Sequence, residues 1–568
     1  MRGERRSGGL WRVVEVCCLG AAMSLVVSGE GFGQESIFDP ENVEVSDEEV
    51  REGSESIVDP ENLQEESADS AQGQQRESPA ASFQSTRWRV NAEMGGLLAL
   101  PVGPPARDPY EVVGALGMEL RHEISEQTNL VLRGRFRYWA GAESGGENWR
   151  THYEPRLDQA YLMHRRGRWS FGLGQMRNSW GSTDIIRPGD VIDPVDLRDM
   201  GSSDGLGAAM AQLSATAAYS GGDWSLRAVV VPFFQGNQVS LFGRDGALAT
   251  ERNPIVAEQL PFLLLAEDLL DPSVVHYNQS LFLSTTRPQD LPKNASVGLR
   301  GTWTVASTDL GVGGFYGWDR TPWVELDEDM RELLSLLARD GQIFDDYDFA
   351  GFLQRNPGAF QLSRQISEKA EAGETIFGSE YRRRTTILVD FARYLGRIGV
   401  RGDLAFSPKR VFYTTEFEAV HRSSLFGALG LSFEELIDGE RPLALILEGF
   451  WMHPFEVGSA VHRALVSEGE GGEEEDQLLL FEEGYYGVAL AGNWRTPWWG
   501  MDLEAGAMAT IEPGDLVGRM GATFRSREGL YLRTGVNLFW GPDPEEKVTL
   551  GGLLAQNTKA YLLVGGQF

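Results

Sequence analysis

The amino-acid sequence predicts an all-β protein, a transmembrane antiparallel β-barrel of about 18 strands (16–18) with long, partly helical outer loops. Three observations support this class. From Trp88 onward, polar and apolar residues alternate with a period of two, and short connections alternate with long ones. The mean hydropathy is only −0.27, and no apolar run of ~20 residues follows the N-terminus. Because a transmembrane strand needs only ~9–11 residues with one apolar face, such a barrel does not raise the average hydropathy.

Residues 1–33 are predicted to be a signal peptide. Four arginines precede an apolar stretch at 16–27, which has the length of a signal-peptide core and is too short to span a membrane. Gly31 and Gly33 are small residues suited to a cleavage site, so cleavage after Gly33 is expected. The only cysteines, Cys17 and Cys18, lie in this segment, so the mature protein would contain no thiol. A lipoprotein signal is the alternative interpretation.

Residues 34–86 are predicted to form an acidic, disordered tether in the periplasm. From Glu35 to Glu77 there are fifteen acidic residues and two arginines, and the formal net charge of the chain is −32. Such a composition buries too little apolar surface to offset the entropy of ordering. The sequence ESIFDPEN at 35–42 recurs as ESIVDPEN at 55–62. The repeat is interpreted either as a duplicated linker or as a docking motif for a periplasmic partner, presented twice to gain avidity.

Residues 87–568 are predicted to form the barrel, and the positions of the charges show which strand faces point inward. At 130–138, Arg133, Arg135 and Arg137 alternate with apolar residues and glycine. An arginine facing lipid at the middle of the bilayer costs ~2–4 kcal/mol, so these side chains must face a watery interior. The predicted strands begin near Trp88, Val112, Asn129, Leu157, Trp169, Ala208, Trp224, Ala295, Asp309, Tyr381, Arg397, Ser423, Arg441, Tyr485, Trp499, Asp515, Gly529 and Asn557.

The connections support the same layout, because short periplasmic turns alternate with long outer loops in membrane barrels. The alternation holds only if 407–422 is an outer loop. Aromatic residues near strand ends, Trp139 among them, are expected to form girdles at the two lipid interfaces. Apolar residues at helical spacing predict helices in two outer loops, at 260–270 and 326–337. The long connections lie at about 177–205, 235–293, 319–380 and 453–478.

The last predicted strand, 560–568, has alternate residues on one face and ends in an aromatic residue, Phe568. This pattern looks like the C-terminal signal by which outer-membrane barrels are delivered to their insertion machinery. Phe568 is therefore the predicted assembly signal.

The lumen is the candidate functional site. Inward-facing bases outnumber the inward-facing acids that the strand pattern assigns, which predicts a net basic lumen and a weak preference for anions if the pore is open. Pairing between arginines and acids that braces the wall is the alternative. The residues predicted to line the pore are Arg133, Arg135, Arg137, Arg300, Arg384, Arg401, Asp403, Asp502, Glu504, Arg519 and Arg533.

The segment 172–199 reads GLGQMRNSWGSTDIIRPGDVIDPVDLRD and is predicted to fold inward as a constriction loop. Its proline-containing turns support a loop. Its carboxylates would alternatively gather around a hard cation such as Ca²⁺, although the spacing of an EF-hand loop is missing. The candidate constriction residues are Asp184, Arg187, Asp190, Asp193 and Asp196.

The same segment resembles a recurring segment of porin-like outer-membrane proteins, several of which are grouped only as domains of unknown function. There a strand ends in Gly-Arg-Gln, a Trp-Gly pair follows, and a loop runs through Asp, Asn/Asp-Pro and Asp-Leu. Gln175 stands where the pattern has arginine. The resemblance implies a porin-like barrel and does not identify a solute. The matching residues are Gly174, Trp180, Gly181, Asp184, Asp190, Val191, Asp193, Pro194, Asp196 and Leu197.

The sequence therefore predicts a porin-like channel for passive passage of small solutes in the outer membrane of a Gram-negative bacterium. The seven histidines lack metal-ligand spacing, and no nucleophile elbow or phosphate loop occurs, so no enzyme activity, metal or cofactor is expected. The negative charge argues against nucleic acid as a partner. Expected partners are membrane lipid and lipopolysaccharide, the barrel-assembly machinery and small solutes. A closed structural barrel and a secreted β-sandwich binding protein are the alternatives.

Overall fold

The computed structural model describes residues 86–567, except for 101–109, 143–148, 197–207, 239–284, 287, 290–291, 321–322, 341–348, 372–376, 414–418, 438–440, 456–484, 499, 513, 527–528 and 543–548. The predicted signal peptide and almost all of the predicted tether lie outside the described residues. The same holds for the helical pattern at 260–270, for Leu197 and for Phe568.

Antiparallel strands form one closed barrel, and their number, 18, is the predicted one. Each strand pairs with its neighbours along the chain, and the last pairs with the first. The predicted fold class is confirmed, and the alternative of a β-sandwich is wrong. The strands are β1 (Thr86–Ala99), β2 (Tyr110–Ser125), β3 (Thr128–Ala142), β4 (Trp149–Arg166), β5 (Trp169–Met176), β6 (Gln212–Ser220), β7 (Trp224–Val231), β8 (Ser296–Val305), β9 (Thr308–Trp318), β10 (Arg383–Leu395), β11 (Ile398–Tyr413), β12 (Ala419–Ile437), β13 (Arg441–Pro454), β14 (Tyr485–Arg495), β15 (Met501–Glu512), β16 (Leu516–Arg525), β17 (Leu530–Trp540) and β18 (Lys559–Gln567).

The outward faces of the strands carry exposed apolar side chains around the whole barrel. Met94 on β1, Leu173 on β5 and Met520 on β16 are each more than 60% exposed. Soluble monomers rarely expose contiguous apolar surface beyond a few hundred Å². An apolar band on the outside with polar residues inside is the arrangement that a lipid bilayer requires of a barrel.

Trp139 is an exception to the predicted aromatic girdles. It lies on the inward face of β3, is 4% exposed, and donates a hydrogen bond from Nε1 to Glu111 Oε2 at 3.1 Å. It shares the parity of Arg133, Arg135 and Arg137, and this parity places it inside.

The short connections lie at one end of the barrel, where tight turns join neighbouring strands. Between β8 and β9, Ala306 and Ser307 have φ values of 51° and 62°. Two successive residues with positive φ are the geometry of a type I′ hairpin, whose twist matches that of the strands.

Some predicted boundaries are wrong. β4 begins at Trp149 rather than near Leu157, and β6 begins at Gln212 rather than near Ala208. The pair Ala208–Ala209 instead pairs with Val195–Asp196 in a separate two-stranded sheet.

The segment 407–422 is mostly strand rather than the predicted outer loop. β11 continues to Tyr413 and β12 begins at Ala419. The register between these strands shifts between Ser407 and Arg410, and such an irregularity breaks the period-two pattern. The predicted alternation of short turns and long connections is unchanged, because β11 and β12 are both longer than predicted and remain joined at the same end of the barrel.

Helices lie in the outer connections. α1 (Glu328–Asp340), α2 (Phe349–Arg355) and α3 (Pro357–Glu371) follow β9, and α1 matches the predicted helical pattern at 326–337. A short helix, α4 (Leu550–Leu553), precedes β18. Among the described residues no helix has the length and apolar character needed to cross a membrane. The other elements of the described residues are the 3-10 helices Pro292–Asn294 and Ala555–Asn557, and a three-stranded sheet of Thr285–Thr286, Trp323–Leu326 and Phe377–Glu380.

Candidate functional site

A loop that follows β5 folds into the barrel and fills part of its interior. In this lumen loop (177–196), Trp180, Ile185 and Ile192 are each at most 1% exposed. They form one apolar cluster with inward-facing side chains of β7 and of every strand from β9 to β17. The loop is therefore packed as part of a core. The aromatic wall residues of the cluster are Phe315, Phe412, Phe426, Phe450 and Phe539.

Asp403 on β11 holds the first part of the lumen loop. Its buried carboxylate accepts hydrogen bonds from the backbone N–H of Ser182 and from the Thr183 hydroxyl, both at 2.7 Å. Gly181 has a φ of 117°, and a Cβ at this position would lie 2.3 Å from Asp403 Oδ2. The backbone conformation and the close approach both require glycine here.

Glu448 on β13 holds the next part of the loop. Its carboxylate, 0% exposed, accepts hydrogen bonds from the backbone N–H groups of Asp184 (2.6 Å), Ile185 (3.1 Å) and Ile186 (2.7 Å). Successive amides that converge on one anion form a backbone nest. Within the described part of the chain, neither Glu448 nor Asp403 is in an ion pair, so the lumen loop supplies their hydrogen-bond donors.

Asp390 on β10 connects the loop to an arginine of the wall. It is the register partner of Asp403. Arg300 on β8 donates from Nη2 to Asp390 Oδ1 at 2.8 Å, and Ser182 donates its hydroxyl to the same oxygen at 2.7 Å. Both charged side chains are buried, and a buried pair needs such extra hydrogen bonds to compensate its lost hydration.

The second half of the loop is fixed by polar groups near β6. Gln212 donates from Nε2 to the Ile192 carbonyl at 2.6 Å and to Asp193 Oδ1 at 3.0 Å. Arg320 also donates to the Ile192 carbonyl, and Asp193 accepts a further hydrogen bond from the Asn178 N–H. Burial raises the pKa of Asp193 to about 6, although the hydrogen bonds from Asn178 and Gln212 act in the opposite direction.

Asp184 and Arg187 lie in the middle of the loop. The Asp184 carboxylate is in an ion pair with Arg401 of β11, which also donates to the Tyr394 hydroxyl at 2.6 Å. Burial raises the pKa of Asp184, and the nearby guanidinium groups of Arg401 and Arg187 partly oppose this. Arg187 donates from Nη1 to the Ser179 hydroxyl at 3.1 Å.

The other candidate constriction residues occupy different places. The N–H of Asp190 bonds to the Arg187 carbonyl in a turn (3.1 Å), and Asp196 accepts a hydrogen bond from Arg156 of β4 (2.9 Å). These acids do not converge on one point. In the part of the chain that the structure describes, no group of three or more His, Cys, Asp or Glu is placed to hold a metal.

The arginines of β3 lie on a wall half a circuit away from β12 in the 18-strand ring. Arg133 donates from Nη2 to Glu119 Oε2 at 2.8 Å, and Arg135 donates from Nε to Asp158 Oδ2 at 3.1 Å. Arg137 has Glu154 as its register partner on β4. The arginine stripe is therefore interleaved with acids.

Similar pairs continue along the wall towards β15. Arg519 donates from Nη2 to Glu504 Oε1 at 2.8 Å, and Arg533 Nη1 lies 3.7 Å from Glu93 Oε2. The Tyr531 hydroxyl donates to the same Glu93 oxygen at 3.0 Å.

The remaining predicted pore-lining residues lie nearer the two ends. Asp502, beside a short turn, accepts hydrogen bonds from Arg495 (3.0 Å) and Arg525 (3.1 Å). Arg384, near the outer end of β10, donates from Nε to the Thr386 hydroxyl at 3.1 Å and lies 4.0 Å from Asp319.

Arg156 and Asp158 belong to the charged wall. The predicted start of β4 near Leu157 excludes Arg156, and Asp158, although inside the predicted strand, is not among the residues predicted to line the pore. Asp158 Oδ1 lies 3.2 Å from Arg156 Nε, and Arg156 also contacts the lumen loop. Polar residues at every second position from His152 to Arg156 were the signal for a longer strand. The alternation of residues in β13 predicts that Glu448 points inward. No local sequence pattern reveals that its hydrogen-bond donors are the backbone amides of the lumen loop.

No protein-family model matches this sequence, and no curated protein matches it. Solved structures with some likeness include Salmonella typhi OmpF in complex with daunomycin, at 8% identity and a TM-score of 0.35 over 85% of this chain and 98% of that one. A mutant form of the Rh. blastica porin has 10% identity and a TM-score of 0.31, with coverage of 85% and 100%. Escherichia coli Wzi, described as a carbohydrate-binding barrel involved in group 1 capsule assembly, has 11% identity and a TM-score of 0.35, with coverage of 84% and 83%. Likenesses this weak assign no family, and membership of an uncharacterised porin-like family stays a prediction.

Proposed function

We propose that this protein is a channel of the bacterial outer membrane through which small solutes diffuse, and that the lumen loop narrows the passage. The closed barrel with an apolar exterior supports the location. The observation that carries the channel function is the arrangement of the interior. Asp403 on β11 and Glu448 on β13 hold the first part of the loop, and the wall on the other side of the ring, at β3, is lined with charges.

We further propose a weak preference for anions. The pore-lining arginines alternate with acids, so most of their charge is compensated locally. A modest excess of positive charge in a narrow channel with low-dielectric walls still raises the local concentration of anions. Arg133, Arg135 and Arg137 form the longest stripe of one sign and should contribute most.

Reversal potentials across planar bilayers in a salt gradient test this proposal. The refolded protein should conduct with anion preference, and the triple variant Arg133→Gln, Arg135→Gln, Arg137→Gln should shift towards cations, because three positive charges leave the lumen. Arg364→Gln is the control, since Arg364 is exposed on α3 and pairs with Glu368 outside the barrel. Cation preference of the parent protein, or an unchanged reversal potential in the triple variant, would contradict the proposal.

A closed structural barrel is the second candidate function. The apolar cluster that joins the lumen loop to β7 and to every strand from β9 to β17 favours it, because packed side chains leave no path for water where they meet. In that case the protein would give no conductance, and liposomes containing it would not swell in any small solute.

A further inference from the structure

The end of the barrel with the short turns carries a concentration of inward-facing arginines on β1, β2 and β4. Arg87 on β1 and Arg121 on β2 are direct register partners. Like charges at directly opposed positions of a sheet destabilise the pair. Arg165 is at the same end of β4, where its register partner on β5 is Ser170. We call Arg87, Arg121 and Arg165 the arginine mouth.

Acids close to the arginine mouth compensate only part of this charge. Glu119 is shared, because Arg121 and Arg133 both donate to its carboxylate. Glu123 at the end of β2 is the nearest other acid on that face of the strand. Among the described residues, neither Arg87 nor Arg165 forms an ion pair, and Arg87 is exposed. The mouth therefore offers cationic groups to an anionic partner.

The parity of these strands restricts what that partner is. The alternate side chains of β1, including Trp88 and Met94, face outward and are mostly exposed, so the arginine mouth faces the lumen. Lipid headgroups lie outside the barrel and do not reach it. The partner must enter from the aqueous space at this end.

The chain itself supplies a polyanion at this place. Residues 34–85 immediately precede β1, and fifteen acids lie between Glu35 and Glu77. Even the last of these, Glu77, lies nine residues before Thr86, and nine extended residues reach ~30 Å. A segment attached this close to its site has an effective concentration in the ~mM range.

We infer that the acidic segment 34–85 binds to the arginine mouth and places negative charge at the periplasmic entrance of the barrel. The inference goes beyond the proposed channel function and requires only that the segment remains after signal-peptide cleavage.

Electron paramagnetic resonance of the mature chain tests the inference without relying on conduction. A nitroxide on Ser67→Cys should be restricted at about 0.1 M NaCl, where the Debye length is ~10 Å, and released at about 1 M, where it is ~3 Å. In the variant Arg87→Gln, Arg121→Gln, Arg165→Gln, the label should be equally free at both salt concentrations.

The matched control removes the same number of charges at the same end. Arg166 and Arg393 lie on outward-facing positions, and Arg168 lies in the turn before β5. The variant Arg166→Gln, Arg168→Gln, Arg393→Gln should keep the label restricted at low salt. Equal label mobility at both salt concentrations in the parent, or release by both triple variants alike, would overturn the inference. Absence of conductance would contradict only the proposed function.

Discussion

At the scale of single residues, Asp193 links the lumen loop to pH. In the unfolded chain its carboxyl titrates near 3.8, and burial raises its pKa in the folded protein to about 6. The folded state therefore binds the proton more tightly. The stability that this proton contributes is fully present below pH 3.8 and is lost as the pH rises through about 6. A shift of this size corresponds to ~3 kcal/mol at most.

We expect the lumen loop to be held more firmly in acid. Hydrogen exchange of the backbone amides of 177–196, corrected for intrinsic rates, should show more protection at about pH 5 than at about pH 7.5. These two pH values lie about one unit or more below and above the pKa of Asp193. Asp193→Asn should weaken this dependence, because the amide does not titrate, and Asp184, whose pKa burial also raises, keeps part of it. Asp309→Asn is the control, since Asp309 bonds to Thr304 beside a short turn, away from the loop. An undiminished pH dependence in Asp193→Asn would assign the effect to other groups.

The Trp180-Gly181 pair shows what a residue pattern does and does not reveal. The resemblance to porin-like proteins rests partly on this pair, but its physical role is visible only in the fold. A Cβ at Gly298 of β8 would lie 2.5 Å from the Trp180 ring, and a Cβ at Gly181 would meet Asp403. Gly298 and Asp403 are far away in the sequence, so local patterns cannot predict these contacts.

At the scale of elements, the attachment of the lumen loop to β13 depends on one carboxylate. Glu448→Ala should release the loop, because the buried N–H groups of Ile185 and Ile186 and the partly buried N–H group of Asp184 lose their acceptor. An unsatisfied buried group costs ~1–3 kcal/mol. Exchange of the amides of 184–186 should become faster, and if the barrel conducts, single-channel conductance should increase.

Glu435→Ala is the control for that experiment. Glu435 lies on β12 near a short turn and pairs with the exposed Arg397. Its removal should change neither the exchange of the loop nor the conductance. Unchanged protection of 184–186 in Glu448→Ala would show that the apolar cluster alone holds the loop.

The strands were predictable from the sequence to a degree that the loops were not. Each strand can be recognised from its own residues, because apolar side chains that face lipid alternate with polar side chains that face the lumen. The alternation is hard to recognise where charged residues are frequent, as before Leu157 in β4. It is also lost where the register shifts, as between Ser407 and Arg410 in β11. The lumen loop has no such internal rule, because its position is determined by wall residues that lie elsewhere in the chain.

At the scale of the whole molecule, closure of the barrel depends on the seam between β1 and β18. Gly95 faces Leu563 across this seam, and a Cβ at Gly95 would lie 2.1 Å from the Leu562 carbonyl oxygen. Gly95→Val should prevent closure and abolish heat-modifiable migration on gels. Gly96→Val is the matched control, because a Cβ there has its nearest neighbour at 3.5 Å. Equal migration of the two variants would show that the seam tolerates the side chain.

The hydrogen bonds of the lumen loop have a consequence for the order of folding. Ser182 and Asp403 are 221 residues apart, and Asp184 and Glu448 are 264 residues apart. Contacts this distant in sequence form slowly, because the intervening chain must first be organised. The loop therefore reaches its native position only after β13 has paired, so the interior of the barrel matures late. In pulse-labelled refolding, protection of the amides of 182–186 should appear no earlier than protection of β13.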